Sequence, residues 1–401
     1  MKNVNDFNFA DKVALIRVDF NVPINQNGEI SDETRIQYSI PTIQKILSDG
    51  GKVVLISHFG RPKGNNISNY SLKFLIPFLS KKLKVSVKFC EPCIGEKAKR
   101  EVDQLKNGEV LLLENLRFYK EEEEENEKFG WELSKFGDIY INDAFSVSHR
   151  FHSSITVIPK FFKRKCIGFL MKKEIDNFDN FFYGKRKKPI TTILGGSKIS
   201  SKINIIKNLL IFSDYLLIGG GMAYPFIKKK GGNIGNSMTE KYNEKIEKTL
   251  ESILSMNHPK KQPNMFFFPK DVIAADSFQN HAKTKICPIH NIPNGWRGLD
   301  LGPHSIKYFC NIIEKSKTIL WNGPLGVFEF SNFSFGTKCI AKKIADVTKK
   351  GCFSLVGGGD SIAALKMEKC EKDISYLSTG GGAMLEILKK KTLPGIKAID
   401  I

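Results

Sequence analysis

The sequence predicts an α/β protein made of two units, each a mostly parallel sheet flanked by helices, joined by a linking helix. Three observations carry this. Short apolar runs alternate with segments of helical period along the chain. The runs fall into two series, within residues 13–141 and 190–377. Between the series lies one helical apolar stripe, followed by a charged break containing proline. At 401 residues, 41% hydrophobic and 26% charged, the chain can bury more than one core, taking roughly 150 residues per domain.

In the first series the strands are predicted at 13–18, 53–56, 110–113 and 139–141, all too brief for helices. Ile36, Ile40, Ile43, Ile46 and Leu47 have helical spacing, with Pro41 best placed in that helix's first turn. The acidic run 121–125 opens a segment reaching Phe129, Trp131, Leu133 and Phe136, and reads as a solvated helix start with no chemistry. Arg17 lies inside its strand and is read as structural. The linking helix is predicted over 171–183, where Ile175, Phe178 and Phe182 share a face, and GKRKKP at 184–189 marks the boundary. The second series predicts strands at 190–194, 215–218, 265–268, 318–321, 352–356 and 374–377, most running directly into glycine.

Composition narrows the function classes. No run approaches the roughly 18 apolar residues of a membrane span, and Asp6 and Asp11 stand where a secretory signal would be apolar, so a cytoplasmic chain is expected. The eight cysteines are scattered. Cys90 and Cys93 form a CxxC without the second ligand pair that structural zinc needs, and read as ordinary thiols. The net charge of +20 calls for an anionic partner to be considered. The lysines lie in dispersed runs such as 185–188, 228–230 and 389–391, which read as solvated faces, and no nucleic-acid motif accompanies them. Six of the nine arginines, by contrast, fall within residues 1–150.

In an open parallel sheet, ligands bind outside the carboxyl ends of the strands. In the first series those positions hold Asp19 and Asn21, His58 and Arg61, Asn115 and Arg117, then Asn142, Asp143, His149 and Arg150, with Arg35 entering the first crossover helix. Forked guanidinium groups pair with carboxylate and phosphate, so such a ring suits a small polyanion. In the second series the same edge is glycine: LGGSK at 194–198, GGG at 219–221, WNGPLG at 321–326, GGGDS at 357–361 and STGGGA at 378–383. Glycine lets backbone amides approach phosphate, and a following helix adds free N–H groups. Several such turns on one sheet make a nucleotide polyphosphate the leading ligand. Neither a P-loop nor GxGxxG is present. Lys198 and Lys202 are expected four apart on one helix start, facing the phosphates. Asp360 reads as a helix cap, a magnesium ligand or both, and Glu329 as an acceptor for ribose hydroxyls.

Taken in order, RVDFNVP at 17–23, SHFGRP at 57–62, LLENLRF at 112–118, NDAF at 142–145, HRFHSS at 149–154, GFLMKKE at 168–174, LGGSK, GGGMAY at 219–224, WNGPLGVFE at 321–329, GGGDS and STGGGA resemble the signatures of the phosphoglycerate kinase family. The resemblance implies two Rossmann-like lobes. Residues 1–168, joined by 385–401, would bind 3-phosphoglycerate or 1,3-bisphosphoglycerate, 169–185 would form an interdomain hinge helix, and 186–384 would bind ATP or ADP with Mg2+. It implies Asp19, Asn21, Arg35, His58, Arg61, Arg117 and Arg150 at the glycerate, and Lys198, Lys202, Gly220, Gly298, Pro324, Glu329, Gly358, Gly359, Asp360 and Ser361 at the nucleotide, with Asp360 at the metal. Arg35, Lys198, Gly380, Gly381 and Gly382 would stabilise the phosphoryl group in transit as the lobes close. A monomer is implied, without membrane or nucleic-acid partners. Ser146, Val147 and Ser148 depart from the family's usual Gly-Thr-Ala, Ser201 from Asp and Ser361 from Thr. The rival readings are a basic nucleic-acid-binding protein, whose affinity would fall steeply with salt, and a dinucleotide-dependent dehydrogenase, which the missing GxGxxG disfavours.

Overall fold

The computed structural model describes the chain except for residues 185–186, 201, 241–243, 256–265, 391 and 401. Ser201, Lys185, Met265 and Lys391, singled out above, therefore lie outside the described residues. Two compact units result: Met1–Asp176 with Lys390–Ile401, and Asn177–Lys389. The first junction falls inside the hinge helix expected at 169–185, and the second after Lys389, later than the expected boundary between 384 and 385. The first lies within the helix Phe169–Phe182, and the second before the last residue of the helix Gly381–Lys390, whose end is tied to the second unit by Asn208 Nδ2 donating to the Leu388 carbonyl at 3.3 Å.

The first unit is built on six strands, β1 (Val13–Val18), β2 (Lys52–Ile56), β3 (Val87–Cys90), β4 (Val110–Leu113), β5 (Ile139–Asp143) and β6 (Lys165–Ile167), in the order β3-β4-β2-β1-β5-β6. Every pairing is parallel. The four predicted strands form the middle of the sheet, where β1, β4 and β5 are apolar runs buried on both faces, as a helix-covered parallel sheet requires. The two strands the pattern missed are its edges: VKFC and KCI are short and carry lysine, the usual blunting of an edge strand. Ile16, Leu55, Leu112 and Ile141 meet Ile36, Ile43 and Ile46 of the helix Thr34–Ser48 in one core. Each such side chain contributes roughly 1.5–3 kcal/mol when fully buried.

Pro41 sits in the middle of that helix, not in its first turn. The hydrogen bond it cannot donate would have reached Gln37, and both residues are exposed, so the interruption faces water. The acidic run also differs from expectation. Glu122 is fully buried in the one-turn helix Lys120–Glu123, where its carboxylate accepts from the Ser154 amide at 2.9 Å and the Ser154 hydroxyl at 2.6 Å.

The second unit has its own six-stranded parallel sheet: β7 (Ile190–Leu194), β8 (Tyr215–Ile218), β9 (Phe266–Phe267), β10 (Thr318–Asn322), β11 (Phe353–Gly357) and β12 (Tyr376–Ser378), in the order β9-β8-β7-β10-β11-β12. All six predicted runs contribute. Trp321, Ile193, Val356, Phe309 and Ile340 pack its core. The pattern missed an antiparallel three-stranded sheet, Thr284–Pro288, Asp271–Ala275 and Arg297–Leu301, and a short pair, Asn233–Ile234 with Asn291–Ile292. Thr284–Pro288 is largely exposed, so it lacks an apolar signal.

Candidate functional site

Each sheet reverses its winding at one place, and the predicted site residues gather there. In the first unit β1 leads to β2 on one side and β5 leads to β6 on the other, leaving a crevice at the carboxyl ends of β1 and β5. Asp19, directly after β1, pairs with Arg35 at 3.0 Å and accepts from the Asn21 amide at 3.1 Å. Ser146, from the turn after β5, donates its hydroxyl to the same carboxylate oxygen that Arg35 meets. Arg35 also donates to the Asn21 carbonyl at 2.8 Å, and Asn21 accepts from the Gly60 amide at 3.0 Å, tying the β1 and β2 loops together.

Arg117 follows β4 in the turn Leu116–Phe118, which Asn115 caps by accepting from the Arg117 amide at 3.0 Å. Its guanidinium donates to the Gly60 carbonyl at 2.7 Å and lies 3.3 Å from Glu123, and burial lowers its pKa to about 10. Arg150 has a buried Nε with no hydrogen-bond partner among the described residues. Arg61 is exposed on the loop after β2 and, among the described residues, makes no hydrogen bond or ion pair with the others.

His58 is buried, and desolvation, then Arg17, Arg117, Arg35 and His152, hold its pKa well below the usual value. It is therefore neutral. Arg17 Nη2 stands 3.2 Å from His58 Nδ1 and can only donate, so the ring proton belongs on Nε2. Arg17, read from sequence as structural, thus orients a predicted site residue while its Nε donates to Ser154 Oγ at 2.8 Å and Glu122 lies 4.0 Å away. His152, which sequence reasoning left unassigned, shares this environment; burial and Arg17 push its pKa down to about 3. The signal for both was present: Arg17 is a charge inside an apolar strand, and His152 stands two residues after Arg150.

In the second unit the winding reverses between β7 and β10. There the Gly195 amide donates to the Asn322 carbonyl at 3.0 Å and the Gly196 amide to the Pro324 carbonyl at 2.8 Å. Gly323 has φ +95°, and a Cβ on it would lie 2.4 Å from the Gly195 carbonyl, so this close backbone approach requires glycine. Lys202 is buried against the same turns, donating to the carbonyls of Gly195 at 2.8 Å and Asn322 at 3.2 Å. Burial lowers its pKa to about 8, against a raising influence from Asp360.

A cavity of about 400 Å³ opens beside these turns. Gly220, Gly298, Pro324, Glu329 and Asp360 of the predicted residues line it, together with Tyr224, the last residue of GGGMAY, and with Met238, Phe278, Leu299 and Phe330, whose places in the chain carried no motif. Gly298 is pressed against Tyr224, whose hydroxyl would lie 2.1 Å from a Cβ there. Lys198 does not share a helix with Lys202: it is exposed on a loop, and the helix begins only at Ile203. Ser200, bonded to Glu240 through its amide at 2.8 Å and its hydroxyl at 2.5 Å, holds that loop out of the helix. Asp360 is not the helix cap either. Gly358, with φ +97°, occupies the cap of Gly359–Met367, leaving the exposed Asp360 carboxylate in the first turn beside the cavity. Ser361 turns inward and accepts from the Gly323 amide at 2.7 Å. Gly381 and Gly382 open the helix Gly381–Lys390, where first-turn amides have no intrahelical partners, and the preceding Gly380 amide donates to Ser378 Oγ at 3.2 Å.

One unit gathers guanidinium groups at its sheet's crevice, the other a cavity edged by backbone amides, lysine and a carboxylate; together they define a kinase of the two-unit α/β class. The chain belongs to the phosphoglycerate kinase family. The family model described as phosphoglycerate kinase matches residues 4–391. The chain is 45% identical to cytosolic phosphoglycerate kinase 3 of Arabidopsis thaliana over 389 residues, covering 97% of this chain and 95% of that one. It is 44% identical to phosphoglycerate kinase of Porphyromonas gingivalis, covering 99% of each. Among solved structures, phosphoglycerate kinase from Coxiella burnetii superposes with a TM-score of 0.85 at 34% identity, covering 100% of this chain and 98% of that one. That from Pyrococcus horikoshii OT3 gives 0.84 at 32%, with the same coverage.

Proposed function

We propose that the chain transfers the acyl phosphate of 1,3-bisphosphoglycerate reversibly to ADP, giving 3-phosphoglycerate and ATP, with the glycerate held by the first unit and the nucleotide by the second. The observation that carries the reading is the complementary chemistry at the two crevices, fixed cations at Arg35, Arg117 and Arg150 and a nucleotide-sized cavity beside Lys202 and Asp360. Arg35, Arg61, Arg117 and Arg150 bind the charged groups of the glycerate, Asp19 and Asn21 accept from its hydroxyl and position Arg35, and neutral His58 donates through Nε2.

In the direction of ATP use the nucleophile is a carboxylate, ionised at pH 7 with a reference pKa of about 3.5–4, so no general base is needed. A neutral, buried His58 fits that requirement, since it can donate a hydrogen bond but gains no proton at working pH. What remains is in-line positioning and neutralisation of charge on the moving phosphoryl oxygens. Arg35, Lys198 and the amides of Gly380, Gly381 and Gly382 supply it from the protein. Lys202, Gly220, Pro324, Gly358, Gly359 and Ser361 shape the phosphate end of the nucleotide site, while Gly298 and Glu329 face its nucleoside. Of the two carboxylates lining the cavity, Glu329 and Asp360, Asp360 stands beside the phosphate turns and would hold Mg2+, which takes one or two carboxylates together with substrate phosphates; the ion would there neutralise phosphate charge. The helix Phe169–Phe182, which the junction between units crosses, is the proposed hinge, its movement excluding water from the acyl phosphate.

The proposal includes a cytoplasmic monomer. Among the described residues no helix is long and apolar enough to cross a membrane. The deciding experiment is a coupled assay of ATP consumption with 3-phosphoglycerate and Mg2+: sustained turnover dependent on all three is expected, and ATP use indifferent to 3-phosphoglycerate would refute the reading.

A further inference from the structure

A second cavity, of about 760 Å³, lies within the first unit between the segment from Phe151 to Lys165 and the helix Pro394–Asp400. None of its lining residues is assigned to the glycerate. Lys165 opens β6, at the amino end of a parallel sheet whose carboxyl ends carry the arginines. The cavity is therefore separate from the crevice described above.

The lining carries four lysines, Lys160, Lys163, Lys165 and Lys397, against one glutamate, Glu125. Where Lys45 meets Asp49 at 2.5 Å, Lys88 meets Glu109 at 2.7 Å and Lys349 meets Asp373 at 2.9 Å, a lysine is matched by a carboxylate. Here Lys163 and Lys397 have no carboxylate within 4.0 Å among the described residues, and the half-buried Lys165 donates only to the Pro159 carbonyl at 3.1 Å. Desolvation lowers the pKa of Lys165, a sign that its charge lacks compensation. Glu125, the only carboxylate on the wall among the described residues, accepts from Thr156 Oγ1 at 2.7 Å. Lys160, at the rim, is already paired with Glu127 at 3.1 Å. Beside these ammonium groups Phe151 stands 59% exposed, a large apolar ring left in water, while the buried Phe162 also lines the wall. Uncompensated ammonium groups draw an anion, and exposed aromatic rings draw a flat apolar body.

We infer that this cavity binds an anion of the nucleoside di- or triphosphate kind, with its phosphates at Lys163, Lys165 and Lys397 and its base against Phe151. The volume falls within the range of roughly 300–1,000 Å³ typical of small-molecule sites. Lysine ammonium groups act there as point charges on phosphate, so affinity falls as salt rises.

The test is methyl NMR on the whole protein, with 3-phosphoglycerate saturating so that the arginine crevice is filled, and ADP as the probe. The methyl groups of Ala398 and Thr392, on the cavity wall, are expected to shift saturably with ADP. In Lys163→Gln/Lys397→Gln, both exposed positions, and in the triple variant adding Lys165→Gln, the half-saturation concentration for those shifts is expected to rise at least tenfold while the turnover KM for ATP stays within twofold. Absence of the shifts in the unaltered protein, or shifts undiminished in both variants, would overturn the site. Pyrophosphate is expected to bind more weakly than ADP and adenosine not to bind. Pyrophosphate equal to ADP would overturn the role given to Phe151.

Discussion

At the scale of single residues, burial decides which charges are available. Arg35 remains a third exposed while anchored by Asp19 and the Asn21 carbonyl, so it is held in place yet open to an anion. Removing a transition-state donor costs about 10²–10³ in rate. Arg35→Ala is expected to lower kcat by that factor, with an unchanged circular-dichroism melt; near-normal turnover would remove it from the phosphoryl path. Lys202 gives a pH prediction. Its pKa is lowered to about 8 by burial, so the charged form is present below that pH and lost as pH rises through it. kcat/KM for ATP, which reports the free enzyme, is expected to fall above about pH 8. Lys202→Met should be slower at every pH and lack that descent. A wild-type profile level to pH 9.5 would contradict the assignment. Arg17, Glu122 and His152 show why residue reading from sequence was incomplete: their importance lies in whom they touch, and no spacing rule places Arg17 beside His58 or Glu122 behind Arg17.

At the scale of elements, the sequence was most legible where the signal is periodic and buried on both faces. All ten predicted strands form, because runs such as VLLL and ITTIL can satisfy their backbone and bury their side chains together only inside a parallel sheet. Signals failed where a tertiary contact overrides local preference: Pro41 is tolerated mid-helix because the affected turn faces water, and the Ser200 bonds to Glu240 delay the helix that Lys198 was expected to start. The turns after β7 and β10 depend on backbone packing against backbone. A Cβ at Gly323 would meet both a φ of +95° and the Gly195 carbonyl. Gly323→Ala is expected to destabilise by about 1–3 kcal/mol, seen as a lowered urea midpoint, and to weaken nucleotide binding. An unchanged midpoint would show that the turn is looser than the geometry indicates.

At the scale of the whole molecule, each unit carries its own core and its own ligand chemistry, so binding defects should separate by unit. By calorimetry, Asp360→Ala is expected to weaken Mg-nucleotide binding and leave 3-phosphoglycerate binding unchanged, while Arg35→Ala does the reverse; a variant that weakens both alike would contradict the division. The amino-acid sequence alone determined two parallel α/β units, a glycine edge on one, a cationic edge on the other and the family, because these are written in neighbouring residues and in periods of two or 3.6. Tertiary structure alone decided which charges are stripped of water together: the neutral His58, the buried Glu122, the weakened proton on Lys202 and the aromatic wall of Phe278 and Phe330. Desolvation and Coulomb interaction depend on distances through space, and residues far apart in the chain set those distances only once the sheets have packed.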